Sequence, residues 1–324
     1  MYRMKNLIRA GALLASAVML SVAPSAAQTW PQRTVKLVVP LGAGSGVDIG
    51  SRLFADRLSA KWGQPVVVEN RPGGDGIVAI STFVNAHDDH VLLSSPTSSF
   101  TAHPYLHDNL PYKASDLLPI ARVSNTIITI SVPSTLPVSS LKELVAMVRA
   151  QPGKLNWAGV TGALDFLFAV WLKSEGLDAP KVPYRNPVEA ANDLAEGRVQ
   201  IYEGAYAIVR PQVEAGKIKV IAVVNTVRTP AAPRVPTVAE AGFPALTIDG
   251  LVGLFGPPDM PKELRERIAA DVKAVSVDPI IKDRLDTTGQ VLNVGGPAEF
   301  AESIDDQRAK LAEAAKELGI KPKQ

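Results

Sequence analysis

Short apolar runs alternate with stretches of helical period along most of the chain. The pattern predicts strands over Val35–Pro40, Pro65–Glu69, His90–Ser95, Thr126–Val132, Lys154–Gly159, Lys181–Tyr184, Val199–Gly204, Ile218–Val224 and Leu251–Pro258. Between them, VDIGSRLFADRLSAKW places Ile49, Leu53, Leu58 and Trp62 near one helical face. SSLKELVAMVRA sets Ser140 and Glu143 at capping-box spacing ahead of the apolar stripe Leu141, Leu144, Val145 and Val148. Such alternation predicts α/β architecture with mostly parallel sheets. From Pro261 onward the pattern is helical, interrupted only by a strand-like run over Gln290–Gly295. Long helices at the end of an α/β chain are expected to fold back on an earlier sheet, which makes the first domain discontinuous.

The first residues change the picture. Arg3, Lys5 and Arg9 precede an apolar stretch, Ala10–Ala23, and Ser25 and Ala27 stand at the −3 and −1 positions of a cleavage after Ala27. This is the layout of a secretory signal peptide over residues 1–27, and the apolar run is short for a membrane span. The formal charge of the whole chain is +2. Cleavage removes three of the 34 basic side chains and none of the 32 acidic ones, leaving about −1. No basic stripe remains for nucleic acid. With no Cys, disulfides, thiolate metal sites, Cys nucleophiles and lipid attachment at a cleavage-site Cys all drop out. The expected mature protein is exported, soluble, periplasmic and monomeric. It needs no cofactor, and its length suggests two domains.

The stretch PLGAGSGVDIGSR, Pro40–Arg52, places three glycines between a strand and a helix. A Walker loop requires Lys after its last glycine, and here Val47 and then Asp48 follow Gly46. A dinucleotide fingerprint requires glycine at 47 or 49, where Val and Ile stand. What survives is a loop opening a helix, whose N–H groups favour an anion, and a carboxylate serves as well as a phosphate. Taken alone, the stretch is equally a tight strand-to-helix turn. Val66–Gly76 and Trp157–Phe166 repeat the strand, small-residue loop and helix arrangement.

In order along the chain, VKLVVPLGAGSGVD, LSAKWGQPVVVENRPGGDG, HPYLHDNLPY, QPGKLNWAGVTG, VPYRNPVEAANDLAEGRVQ, VEAGKIKVIAV, RVPTVAEAGFP and GLFGPPDMP resemble the Bug-type extracytoplasmic receptors, the solute-binding proteins of tripartite tricarboxylate transporters. The resemblance implies two α/β lobes, 28–126 plus 250–324 and 127–249, that close on a small carboxylate like a Venus flytrap. Each lobe is expected to hold a sheet flanked by helices, with the C-terminal helices packing back on the first. The implied first loop comprises Leu41, Gly42, Ala43, Gly44, Ser45, Gly46 and Asp48, joined by Thr97 and Ser98. The implied facing loop comprises Val160, Thr161, Gly162, Ala163, Leu164 and Phe166, with Tyr184, Arg185, Gly204 and Tyr206 completing the wall. Membrane subunits of such a transporter are the implied partner.

Three departures stand out. Relatives commonly show P-F-P-P-G-G-S/T-x-D in the first loop, whereas Ser45 is displaced here. Phe166 stands where relatives often carry His, and Gly204, beside Glu203, where they often carry Asp. A less polar pocket lined by Leu164, Phe166, Tyr202 and Tyr206 is expected, suited to an aromatic or longer-chain acid; Phe166 is equally readable as core. Two other functions fit the same frame: a sensor that signals rather than transports, and an exported enzyme. The enzyme would have to work with Asp48, Asp165 and Glu203 and no nearby His. HDDH, His87–His90, alternates direction in an extended chain and is not expected to converge on a metal. S-x-x-K at Ser139–Lys142 lacks its companion motifs and reads as a helix start.

Overall fold

A computed structural model describes residues 30–159, 162–184 and 186–323; the expected signal peptide lies outside the described residues. Among the described residues the strands run β1 (Val35–Val39), β2 (Val66–Asn70), β3 (Val91–Pro96), β4 (Leu118–Thr126), β5 (Ile128–Pro133), β6 (Trp157–Gly159), β7 (Ile201–Ala205), β8 (Ile218–Val223), β9 (Gly250–Gly256) and β10 (Gln290–Gly295). The helices are α1 (Gly46–Trp62), α2 (Ile77–Val84), α3 (Ser98–Thr101), α4 (His103–Leu106), α5 (Leu141–Ala150), α6 (Ala163–Ser174), α7 (Pro187–Ala195), α8 (Tyr206–Glu214), α9 (Lys262–Val275), α10 (Pro279–Thr287) and α11 (Pro297–Glu317).

The strands form two sheets, one per lobe: β10-β4-β9-β3-β1-β2 and β6-β7-β5-β8. In the first lobe, apolar residues of one sheet face pack with Phe54 and Leu58 of α1, Ile268 and Val272 of α9, and Ile281 and Leu285 of α10. The other face meets Ile80 and Phe83 of α2, and Phe300 and Ile304 of α11. In the second lobe, α5 and α6 cover one face, and α7 and α8 the other. Each fully buried aromatic, such as Phe54, Phe255 or Phe300, contributes about 1.5–3 kcal/mol through removal of its surface from water. Ser140 caps α5 as its spacing predicts, accepting from the Glu143 amide, while the Glu143 carboxylate reaches back to Ser139 N and Oγ.

The sheets are not mostly parallel. Among the described residues, β1–β2, β1–β3 and β6–β7 are parallel, and the other five pairings are antiparallel. The reason is the route of the chain. A helix returning to the same sheet restores strand direction, but β4 runs directly into β5 of the other sheet, and β9 arrives from it. The sequence pattern also hides β4: register shifts beside Pro119–Ala121 and Arg122–Ser124 break its period-two alternation. Lys181–Tyr184 is no strand, contributing only an isolated bridge to Trp157.

Two crossings join the lobes, and Asn225 ties them. Its Oδ1 accepts from Ile128 N (2.8 Å) and its Nδ2 donates to Thr126 O (2.9 Å). Helix α11 packs back on the first lobe as expected, then continues so that Leu311 and Ala315 enter the core of the second.

Candidate functional site

The Gly-rich loop is held from within. Ser45 caps α1, its Oγ accepting from Asp48 N. Asp48, although expected to face a ligand, is 2 % exposed and turned onto its own loop. Its carboxylate accepts from Gly44 N (2.9 Å), Asn70 Nδ2 (2.8 Å) and Arg52. Burial pushes the Asp48 pKa up, but Arg52, the Gly44 amide and Asn70 outweigh it, and the net displacement is downward. Asp48 therefore shapes the loop, leaving Leu41, Gly42, Ala43 and Gly44 exposed with open space over Gly42 and Gly44.

Contacts between backbones show how the expected site residues assemble. A Cβ added to Gly76 would stand 3.1 Å from Ser99 Cβ and 3.6 Å from Pro40 Cβ, so the loops after β1, β2 and β3 are neighbours. A Cβ on Gly162 would stand 2.4 Å from Ser98 O. The N-terminus of α6 in one lobe thus presses on the start of α3 in the other. Gly162 has φ 94° and ψ −147°, a region essentially confined to glycine. On the remaining side, a Cβ on Gly46 would meet Thr288 O and Gln290 Nε2 at 3.0 Å, and one on Gly289 would meet Ala207 N at 3.0 Å. The segments around Ser98 and Gly162 therefore meet at one interlobe junction beside the first loop, while Ala207 approaches the other lobe through Gly289. Val160, Thr161 and Arg185 fall outside the described residues.

Among the described residues, Thr97 Oγ1 and Gln290 Nε2 are sealed from solvent and lack a hydrogen-bond partner, as do Tyr202 Oη and Glu203 Oε2 inside the second lobe. Gln290 is the residue that sequence reasoning missed. Its Oε1 accepts from Ser124 Oγ (2.5 Å), while Nε2 lies beside Gly46. Only the return of β10 alongside β4 brings it there, and no local pattern signals that.

The apolar wall is differently built from the expectation. Helix α6 begins at Ala163, so Leu164 turns with Leu167 and Phe168 into the interior of the second lobe. Phe166 stacks on Tyr105 of the other lobe, with centroids 5.3 Å apart and planes inclined by 18°. Tyr202 is fully buried, its Oη 2.7 Å from where a Gly204 Cβ would sit. Tyr184 donates to Asp193 (2.6 Å) under α7. Tyr206 lines a separate cavity of 380 Å³ at the hinge, with Ile127, Arg210, Thr229, Asp286 and Val291 among its walls. Beneath the facing loop, Asp165 pairs with Lys181 (2.7 Å). Glu203 is buried opposite Gly159. Burial, reinforced by the Asp165 charge and only partly offset by Lys181, pushes the Glu203 pKa well above the usual carboxylate range.

Two three-layer lobes, joined by paired crossings and meeting through loops at their sheet ends, define a two-lobed solute-binding protein. The profile described as tripartite tricarboxylate transporter family receptor matches residues 51–320, and the chain belongs to that family. It is 28% identical over 313 residues to a UPF0065 protein of Bordetella pertussis, covering 95% of this chain and 97% of the relative. Among solved structures it is similar to a protein of R. palustris with adipate, at 28% identity and TM-score 0.78, over 91% of this chain and 100% of that one. It is likewise similar to the periplasmic binding protein BugD, at 26% identity and TM-score 0.76, over 90% and 99% of the two chains.

Proposed function

We propose that the protein is a periplasmic receptor that captures a small organic carboxylate between lobes 28–126 plus 250–324 and 127–249, and delivers it to the membrane subunits of a tripartite tricarboxylate-type transporter. The observation that carries this reading is the close approach of Gly162, at the α6 N-terminus, to Ser98 at the start of α3 in the other lobe, where Ser99 and Pro40 both neighbour Gly76. In this reading the N-termini of α1 and α6 face the ligand from opposite lobes. Helix N-termini carry unpaired amides and the positive end of the helix dipole, so two of them suit a dicarboxylate. In this reading the first-loop residues around Ser45 and Gly46 take one carboxylate and the 160–163 loop the other, with Thr97 and Gln290 as further partners. Arg185 is a candidate bidentate partner. The adipate in the R. palustris relative supports a linear diacid. Capture and closure suffice, and the reading assigns no catalytic step.

The test is thermal melting of the chain from residue 28, stripped of ligand by refolding, against adipate, malate, citrate, glutamate, benzoate and terephthalate. At about 100 times its Kd a ligand adds about 2.7 kcal/mol, which raises the melting temperature by several degrees. A shift with one of the dicarboxylates is expected; no shift with any acid overturns the assignment.

A further inference from the structure

A second cluster of polar side chains lies next to this junction, in the first lobe. The loop after β2 carries Asp75, and α4 opens with His103 and is followed directly by His107, one helical turn on. His103 Nε2 and His107 Nε2 each lie 3.6 Å from the same oxygen, Asp75 Oδ2, and all three atoms fall within 4.8 Å of one another. A separation of 3.6 Å is long for a hydrogen bond. It is close to the ligand-to-ligand distance around a tetrahedral zinc ion, about 3.4 Å for bonds of about 2.0–2.2 Å. His107 Nε2 is sealed from solvent and has no hydrogen-bond partner among the described residues. Imidazole and carboxylate together are a donor set for first-row transition metals.

The surroundings fit as well. His103 is fully buried, and its Nδ1 lies 2.5 Å from Tyr112 Oη. A metal-bound imidazole uses its second nitrogen to donate to an oxygen, which fixes the ring. At present His103 Nε2 lies 3.0 Å from Asp75 O. On metal binding the ring gives up its Nε2 proton to solvent and keeps an Nδ1–H for Tyr112. The HDDH stretch, against expectation, also brings Asp88, Asp89 and His90 together, but its one imidazole there, His90, is taken by Asp89 at Nδ1 and by the Gln32 amide at Nε2.

We propose that Asp75, His103 and His107 bind one divalent transition-metal ion of the zinc class, with water in the remaining position. The ion ties the β2 loop to the segment bearing Ser98 and Tyr105, both of which touch the other lobe. The test uses the chain from residue 28 in a non-chelating buffer without any organic acid, so its outcome is independent of carboxylate binding. Zinc chloride is titrated by calorimetry, and cobalt(II) is followed by its visible absorption. One ion per chain is expected, with a rise in melting temperature and a four-coordinate cobalt spectrum. His107→Ala removes a side chain that is one-third exposed, and Asp75→Asn is nearly isosteric. Each is expected to weaken zinc at least about 10–100-fold, the range set by losing even an outer partner, while Asp89→Asn leaves it unchanged. Absence of binding by both metals, or undiminished binding in both site variants, overturns the proposal.

Discussion

Gly162→Ala probes the junction on which the functional reading rests. The new Cβ would stand 2.4 Å from Ser98 O, inside the 3.0 Å that real Cβ contacts essentially never cross. Ser98 O is backbone, so relief requires moving α3 away from α6, which separates the lobes. The residue also sits at φ 94° and ψ −147°, and holding a non-glycine residue there costs about 1–3 kcal/mol. That backbone strain burdens open and closed forms alike and lowers the melting temperature. The clash with Ser98 O burdens the closed form alone, by about 1–3 kcal/mol, the range for overpacking. Since 1.4 kcal/mol is a factor of ten, affinity for the acid falls about 5–150-fold. The assay is calorimetry with the acid that most raises the wild-type melting temperature, together with a melt of the free variant. Lower affinity together with the lower melting temperature supports the junction. Unchanged affinity with a lower melting temperature would confine the strain to one lobe and refute the reasoning.

Asp48→Ala leaves the Gly44 amide and Asn70 without their acceptor and costs about 2–3 kcal/mol by charged hydrogen-bond magnitudes, read as a lower urea midpoint. Because the Asp48 pKa is depressed in the fold, its contribution is present above the unfolded value near 3.8 and is lost as pH falls through the lower folded value. The variant's deficit should therefore vanish in acid. Glu203 has the opposite sign. Its pKa is raised, so wild-type stability declines as pH rises above about 4.5, and Glu203→Gln should gain melting temperature at pH 8 over pH 4.5. An equal gain at both pH values would show that the charge is not the cause. A double-mutant cycle on Tyr105 and Phe166 should return a coupling of about 0.5–1.5 kcal/mol in ligand-bound protein. Zero coupling there would separate the stacked pair from closure.

What the sequence disclosed follows from how local each cause is. The α1 helix, the cap at Ser140 and the strand β10 are written in short-range pattern, and the structure repeats them within a residue or two. Strand direction was not legible, because whether β9 lies parallel or antiparallel depends on which sheet the chain has just left. Asp48 was legible as part of a loop but not as its internal anchor, since Asn70 and Arg52 reach it from 22 residues ahead and from the next helical turn. Leu164 and Phe166 were ambiguous for a related reason. Helical period says that they diverge, and only the packing of α6 on its sheet and of Tyr105 on Phe166 says where each goes. Gln290 and the Asp75, His103 and His107 cluster depend wholly on distant segments meeting. The HPYLH spacing places two imidazoles one turn apart, while their convergence on Asp75 becomes visible only in three dimensions.

The most direct measurement is a crystal structure of the chain from residue 28 with the acid that gives the largest thermal shift. The account predicts carboxylate density between the Ser45–Gly46 end of α1 and the Gly162 end of α6, with the lobes in contact through Ser98. Density in the hinge cavity beside Tyr206 and Arg210, with nothing at the two helix N-termini, would contradict it.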